Sequence, residues 1–189
     1  MFLTIGYYSL IVLWVGSEIW LSLRRRANAD SNRQDQGSLK RLWWVIFVSI
    51  FAGVFFSYLH LLTFPESTRH PAFFAGMGLI ALGLLLRWWS IRVLGRFFTV
   101  DVATGGDQHI VRTGPYHWLR HPSYTGALTS FFGLGLCQGD FVSMGLIFFP
   151  VLAVFLHRIR IEERALAQAF PETWPDHARH TARLLPGLW

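Results

Sequence analysis

Residues 124–156 read YTGALTSFFGLGLCQGDFVSMGLIFFPVLAVFL, two apolar runs (Tyr124 to Leu136, Phe141 to Leu156) parted by Cys137-Gln138-Gly139-Asp140. Asp140 is the one charged side chain in the stretch. Apolar runs of this kind predict helices, and so short a connection folds the second back along the first as a helical hairpin. The outer ends of the hairpin then lie at one level. Pro122-Ser123-Tyr124 is thereby brought beside His157-Arg158, although about 35 residues separate them in the chain.

Outward from the hairpin the same pattern recurs. A membrane helix needs roughly 20 mostly apolar residues. Phe2 to Leu23 meets that length, interrupted only by Glu18. It lacks a basic stretch before the apolar run and a small-residue cleavage site, so it reads as a retained span and not a signal peptide. Leu42 to Phe64, ended by Pro65, is a second span. Pro71 to about Leu94 is a third, with Pro71 suited to a first helical turn. The fold class expected is all-α and integral to a membrane. It has about five transmembrane helices, a polar connector after the third, and a helical C-terminal tail.

Composition agrees. Of 189 residues, 52% are hydrophobic, 16% aromatic and 15% charged, against about 25% charged in an ordinary globular domain. A chain this short has too much surface for its volume to hide that much apolar area in one core. The 17 Lys and Arg outnumber the 11 Asp and Glu, for a net charge of +6. Six of the basic residues fall in 24–41, five in 87–121 and five from Arg158 onward, while Arg69 is alone in 65–70. Basic residues concentrate on cytoplasmic loops, which predicts an N-terminus outside and a C-terminus in the cytoplasm. The membrane is the inner or plasma membrane in a bacterium, or the endoplasmic reticulum in a eukaryote. The charge excess is thus topology, and no nucleic-acid partner is called for. Segment 27–38 is polar and unpatterned and reads as a flexible cytoplasmic loop. The single Cys137 permits no internal disulfide.

Two segments carry more polar chemistry than connectors need. In the first, Pro122 at a helix start leaves His121 as N-cap, with the N–H groups of Ser123 and Tyr124 pointing out of the helix end. Such an end suits a carboxylate or phosphate. Equally, Arg120 and His121 serve as head-group anchors, with Tyr116 and Trp118 as interface aromatics. In the second, Arg158 and Glu162 are spaced i,i+4 on one helix face. They read either as a surface ion pair or, with Glu163, Arg160 and Arg164, as a pocket for a zwitterionic ligand. Arg87 either snorkels to the head groups or reaches the same pocket. Glu18 suits snorkelling or an inter-helix hydrogen bond. The His117/His121 and His177/His180 spacings lack a cysteine or acid to complete a metal set. No Gly-x-Ser-x-Gly or Gly-x-Gly-x-x-Gly occurs, and Gly133, Gly135 and Gly139 suit close helix packing.

The string Gly114-Pro115-Tyr116-x-x-x-Arg120-His121-Pro122-Ser123-Tyr124-x-Gly126, followed by Arg158-x-x-x-Glu162-Glu163-x-x-Leu166-x-x-x-Phe170, resembles the isoprenylcysteine carboxyl methyltransferase family. Arg183-Leu184-Leu185-Pro186-Gly187-Leu188 is similar to that family's ending, and the resemblance runs from about Arg87 to the C-terminus. It implies S-adenosyl-L-methionine as methyl donor, with cofactor contacts at Ile110, Val111, Tyr116, His121, Pro122, Ser123, Tyr124 and Glu162. It implies a substrate-binding and catalytic role for Arg158, and a functional role for Arg87. The family's His-x-Leu-Val is one residue shorter here, so either Gln108 or His109 fills the histidine position. No metal is implied. The resemblance divides the chain into an N-terminal two-span region, 1–70, with its loop at 24–41, and a methyltransferase core, 71–189. That core comprises the third span, a cofactor-binding connector at 95–121, the hairpin at 122–157 and the tail at 158–189.

The implied reaction is methylation of a carboxylate on a lipophilic small-molecule or prenylated acceptor that reaches the site from the membrane lipid. Phospholipid or other small-acceptor methylation is the alternative, although a cationic Arg158 does not help a neutral amine acceptor. NADPH-dependent sterol reductases share an Arg-His-Pro-x-Tyr segment, but their acidic motif is followed by a cysteine-containing run that is missing after Glu163.

Overall fold

The computed structural model describes residues 2–24, 32–33, 37–98, 103–104 and 109–187. Within them lie six helices: α1 (Phe2–Arg24), α2 (Ser38–Ser57), α3 (Glu66–Leu94), α4 (Pro122–Cys137), α5 (Phe141–Ala169) and α6 (Trp174–His180). Helices α1, α2, α3 and α5 are long and apolar enough to cross a membrane. The chain is a multi-pass integral membrane protein.

The expected fourth span, α4, has only 16 residues, a length of about 24 Å against a hydrocarbon core of ~30 Å. It is also the most enclosed helix, with residues from Pro122 to Gly135 buried on almost every side. On α2, by contrast, Trp44, Phe47, Val48, Phe51 and Phe55 are all more than half exposed, as lipid-facing side chains are. The packing explains the short helix: α4 is surrounded by its neighbours and has little lipid contact to satisfy.

Glycines let α3 and α4 approach backbone to backbone. A Cβ on Gly83 would lie 2.4 Å from the Gly126 carbonyl oxygen, and one on Gly126 would lie 2.5 Å from that of Gly83. Gly76 and Gly133 repeat the relation seven residues along, at 2.5 Å in each direction. Antiparallel helices this close gain dispersion contacts that larger residues would prevent. The packing role expected of Gly133 is therefore observed. Gly135 meets Met144 across the hairpin at 2.9 Å.

The hairpin turn is held by Asp140, the N-cap of α5, whose Oδ1 accepts from Ser143 N–H at 3.0 Å. Its Oδ2 accepts from Leu62 N–H at 2.8 Å, and Phe64 N–H donates to the Gly139 carbonyl at 2.8 Å. These bonds correct two span boundaries. The second helix ends at Ser57 and not Phe64, because Leu62 and Phe64 bind the hairpin turn instead of extending the helix. The third begins at Glu66, where the Pro65 carbonyl accepts from Thr68 and Arg69 N–H, so Pro71 lies in its second turn. The polar segment 27–38 is not wholly unpatterned either. Its residues Asn32–Arg33 (β1) pair antiparallel with Ala103–Thr104 (β2), Asn32 opposite Thr104 and Arg33 opposite Ala103.

The largest apolar core joins Trp14 of α1, Leu42 of α2, Ile80 of α3, Phe131 and Leu134 of α4, and Ile147, Val151 and Phe155 of α5. Beyond it, at the end opposite the hairpin turn, the starts of α2 and α4 meet the ends of α1, α3 and α5.

Candidate active site

Pro122 occupies the first turn of α4 and His121 is its N-cap, as the sequence predicts. The helix end is less open than that reading allows, because Tyr124 N–H returns to the His121 carbonyl at 3.0 Å. A C-terminal strap also closes over the approach. Arg120 N–H donates to Ala182 O at 2.8 Å, His121 N–H to Arg183 O at 3.1 Å, and Ala182 N–H to Trp118 O at 3.0 Å. Thr125 Oγ1 adds a bond to Leu184 O at 2.7 Å. The polar residues ahead of α4 are thus held as a strand-like segment, with their backbone groups paired inside the protein.

Arg158 and Glu162, one turn apart on α5, meet through a side chain of α4. The Arg158 Nε–H donates to the Tyr124 hydroxyl at 3.1 Å, and that hydroxyl donates to Glu162 Oε2 at 2.8 Å. Arg158 is 2% exposed, and its Nη1 donates to Ser38 Oγ at 2.8 Å. The Tyr124 ring stacks on His121, with centroids 5.6 Å apart and planes 9° apart. Two motifs distant in sequence become one polar cluster.

Glu163 points to a different set of partners. Its Oε1 accepts from Arg120 Nε at 2.9 Å and lies 3.4 Å from His121 Nε2, while Oε2 accepts from Arg183 Nε at 2.9 Å. Arg120 also donates through Nη1 to the carbonyls of Ala178 and Thr181, each at 2.5 Å. Arg120 is accordingly neither a head-group anchor nor a surface charge. It binds the tail to the rest of the protein.

On the other flank, Arg87 of α3 donates to Glu18 of α1 through two nitrogens, Nε to Oε1 at 2.5 Å and Nη2 to Oε2 at 2.7 Å. Its Nη1 donates to Ser123 Oγ at 2.9 Å. The inter-helix bonding role suggested for Glu18 is observed, and Arg87 turns inward instead of snorkelling.

Most of these groups border one cavity of about 680 Å³, whereas Glu163, Arg183 and Ser38 stand outside its lining. His109, Ile110, Val111, Tyr116, His121, Ser123, Tyr124, Arg158, Glu162 and Arg87 line it. Pro122 is buried behind the lining at the helix start. Gln108 lies outside the described residues. Burial, with Glu162 and Tyr124 close by, pushes the Tyr116 phenol above its ordinary range, so it stays protonated and able to donate. Among the described residues there is no group of three metal-ligating side chains. His117 packs edge-on against Trp118, and His180 pairs with Asp176 at 3.3 Å.

Several lining residues escaped the sequence reading. Trp174 and His177 of α6 close one side. His177 is held down to about 4 by burial and by the charges of Arg112 and Arg120, and so remains a neutral imidazole. Arg112 joins the connector to α6, donating to Asp176 Oδ2 at 2.7 Å and to the Thr173 carbonyl at 3.2 Å. Opposite them the cavity continues as an apolar arm between Tyr7, Ile11, Trp14 and Val15 of α1 and Ile46, Phe47, Ile50 and Phe51 of α2. Glu18 was the one available signal: a lone acid in an apolar span generally has a polar partner.

Comparison with known proteins bears on this geometry. The profile of the phospholipid methyltransferase family (PEMT) matches residues 71–173. The protein-S-isoprenylcysteine O-methyltransferase of Saccharomyces cerevisiae is 34% identical over 54% of this chain and 44% of its own. The cobalt-zinc-cadmium resistance protein CzcN of Cupriavidus metallidurans is 27% identical over 78% of this chain and 63% of its own. The chain therefore spans roughly half the length of these curated relatives. The fold is similar to that of a solved eukaryotic intramembrane Ras methyltransferase, isoprenylcysteine carboxyl methyltransferase. The TM-score is 0.64 at 23% identity, covering 77% of this chain and 52% of the other.

Proposed function

The chain belongs to the phospholipid methyltransferase family, and from that premise we propose that it methylates the carboxylate of an isoprenylcysteine-like lipophilic acceptor, with S-adenosyl-L-methionine as donor. The observation that carries the proposal is the form of the cavity. One continuous space joins a polar end, with Arg158, Tyr124 and Glu162, to an apolar arm between α1 and α2. Lining residues Val15, Ile19, Phe47 and Phe51 are also more than half exposed on the molecular surface, so the arm opens sideways toward lipid. From Glu18 to Tyr7 it follows α1 for about 16 Å, enough for an extended hydrocarbon chain. A polar head and an apolar tail are accommodated together.

The polar end has the chemistry to hold the donor. Glu162 retains a partly exposed carboxylate facing the cavity, which suits a cationic or hydroxyl-bearing ligand. Ile110, Val111, Tyr116 and His121, with Ser123 and Tyr124, surround it. When bound, the donor would supply an electrophilic methyl on a sulfonium to a carboxylate oxygen, the sulfur leaving with the S–C bonding pair, and no proton would need to be removed. The protein's task is then alignment and exclusion of water. Arg158, held by Ser38 and Tyr124, orients an acceptor carboxylate. Too tight a clamp would weaken that nucleophile, so its role is orientation more than activation. His109, against Phe97 at 4.9 Å between ring centroids, contributes to the connector wall. A cytoplasmic position for this end follows from the distribution of basic residues and belongs to the same proposal.

A second acceptor class is favoured by one observation. One relative, matched over 78% of this chain, is named a metal-resistance protein and not an isoprenylcysteine methyltransferase, and the second reading is a small lipophilic acceptor other than a prenylated one. The test is purified protein in liposomes with methyl-labelled S-adenosyl-L-methionine and a farnesylcysteine analogue. A base-labile labelled ester is the expected result. Absence of that ester, together with NADPH consumption on a sterol, would overturn the reading. Label transferred only to a small lipophilic acid would leave the reaction and move the acceptor.

A further inference from the structure

Glu18 stands in an otherwise apolar part of α1, with its side chain 18% exposed, and Arg87 on α3 is 12% exposed. A charged side chain at that depth is costly unless paired, and pairing there usually has a functional reason. The geometry is specific. Glu18 takes the Nε/Nη2 edge of the guanidinium bidentately, which leaves Nη1 directed at Ser123 Oγ and, at 3.4 Å, the Ser123 carbonyl. Ser123 is the second residue of α4 and lies next to Tyr124, whose hydroxyl bridges Arg158 and Glu162. One chain of contacts runs from α1 through α3 to the polar end of the cavity.

We propose that Glu18 is a positioning residue for the methyl-transfer site: by occupying the bidentate edge of Arg87 it holds that arginine on Ser123 and keeps it away from Glu162. This rests on the methyltransferase reading above. Glu18, Arg87 and Glu162 all border the same cavity. Without Glu18, the forked edge of Arg87 is released into a space where Glu162 is a matching carboxylate, and Arg–carboxylate pairs form readily in that geometry. Glu162 would then be diverted from Tyr124 and from the donor. Because Glu18 belongs to the region before residue 71, where the family profile begins, a part of the chain outside the matched region completes the site.

The experiment is a double-mutant cycle in nanodiscs with Glu18→Gln, Arg87→Met and the pair, plus Glu18→Asp. Methyl transfer to the farnesylcysteine analogue is one readout. Hydrogen exchange of the first turn of α4 is the other, read at the amides of residues 123–126. Glu18→Gln is expected to lower kcat roughly 10-fold or more, weaken donor binding and speed exchange at that turn, with partial recovery in Glu18→Asp. The pair is expected to match Arg87→Met alone, since Glu18 acts through Arg87. Wild-type kcat in Glu18→Gln, or additive losses in the pair, would overturn the proposal. If the wild-type protein methylates nothing, the functional reading fails and the exchange data decide the positioning claim. Faster exchange in Glu18→Gln sustains it, and unchanged exchange refutes it.

Discussion

Arg120 and Glu163 form a partly buried ion pair, Nε to Oε1 at 2.9 Å, that joins the entrance of α4 to the far end of α5. Arg183 of the C-terminal strap meets the same carboxylate, so one acid ties three separate segments. Neighbouring acids of a single motif thus divide the work. Glu163 holds the architecture, while Glu162 faces the cavity.

Removing Glu163 is therefore expected to release the tail. Glu163→Ala leaves two arginines without their shared partner, a loss on the order of 3 kcal/mol for a buried pair broken on one side. Limited proteolysis should then cut within 178–187 well before the helical core. Arg183→Ala should act in the same direction but more weakly, since that side chain is 25% exposed.

Tyr124→Phe deletes the hydroxyl that receives Arg158 and donates to Glu162. The ring can still stack on His121, so the fold should persist while hydrogen bonds to two charged groups are lost. Those are worth roughly 1.5–3 kcal/mol each, and calorimetry should show weaker S-adenosyl-L-methionine binding. Glu162→Gln should chiefly reduce donor affinity, whereas Arg158→Ala should chiefly reduce turnover. Wild-type behaviour in all three would place the site elsewhere.

The α3–α4 contact predicts a sharp dependence on residue size. Gly83→Ala or Gly126→Ala would drive a methyl group against the opposing backbone at about the distances of van der Waals overlap, costing roughly 1–3 kcal/mol. Gly78→Ala, with nothing within 4 Å, should be neutral. Thermal melts in one detergent provide the comparison, and equal melting temperatures for Gly83→Ala and Gly78→Ala would refute the close approach.

Acidification should destabilise the native state through His177. Its pKa is about 4 in the folded protein against an ordinary 6.5. Between those values the unfolded chain binds a proton that the native chain refuses, so stability falls as pH drops from 6.5 toward 4 and is level above 6.5 for this group. Melting temperature measured from pH 7 to 4 should decline less steeply in His177→Gln than in the wild-type protein.

The hairpin at 124–156, the N-cap role of His121 and the kinship of the two polar motifs were all legible in the residues. Each depends on local pattern: apolar run length, a four-residue turn, a proline at a helix start. The end of the second span at Ser57 was not, because the deciding hydrogen bonds go to Asp140 and Gly139, about 80 residues further along the chain. The pairing of β1 with β2 and the strap at 182–184 were hidden for the same reason.

Sequence alone determined that this chain crosses a membrane, which runs form its helices, and that Tyr124, Arg158 and Glu162 come together. Those conclusions need only hydrophobicity, helix geometry and a short turn. Tertiary structure decided what each charge does. Glu18 and Arg87 are 69 residues apart and Ser38 and Arg158 are 120 apart. No periodicity encodes which buried acid meets which buried arginine. That choice is made where helices pack closely enough to exclude solvent, and where an unpaired charge would cost more than the fold can absorb.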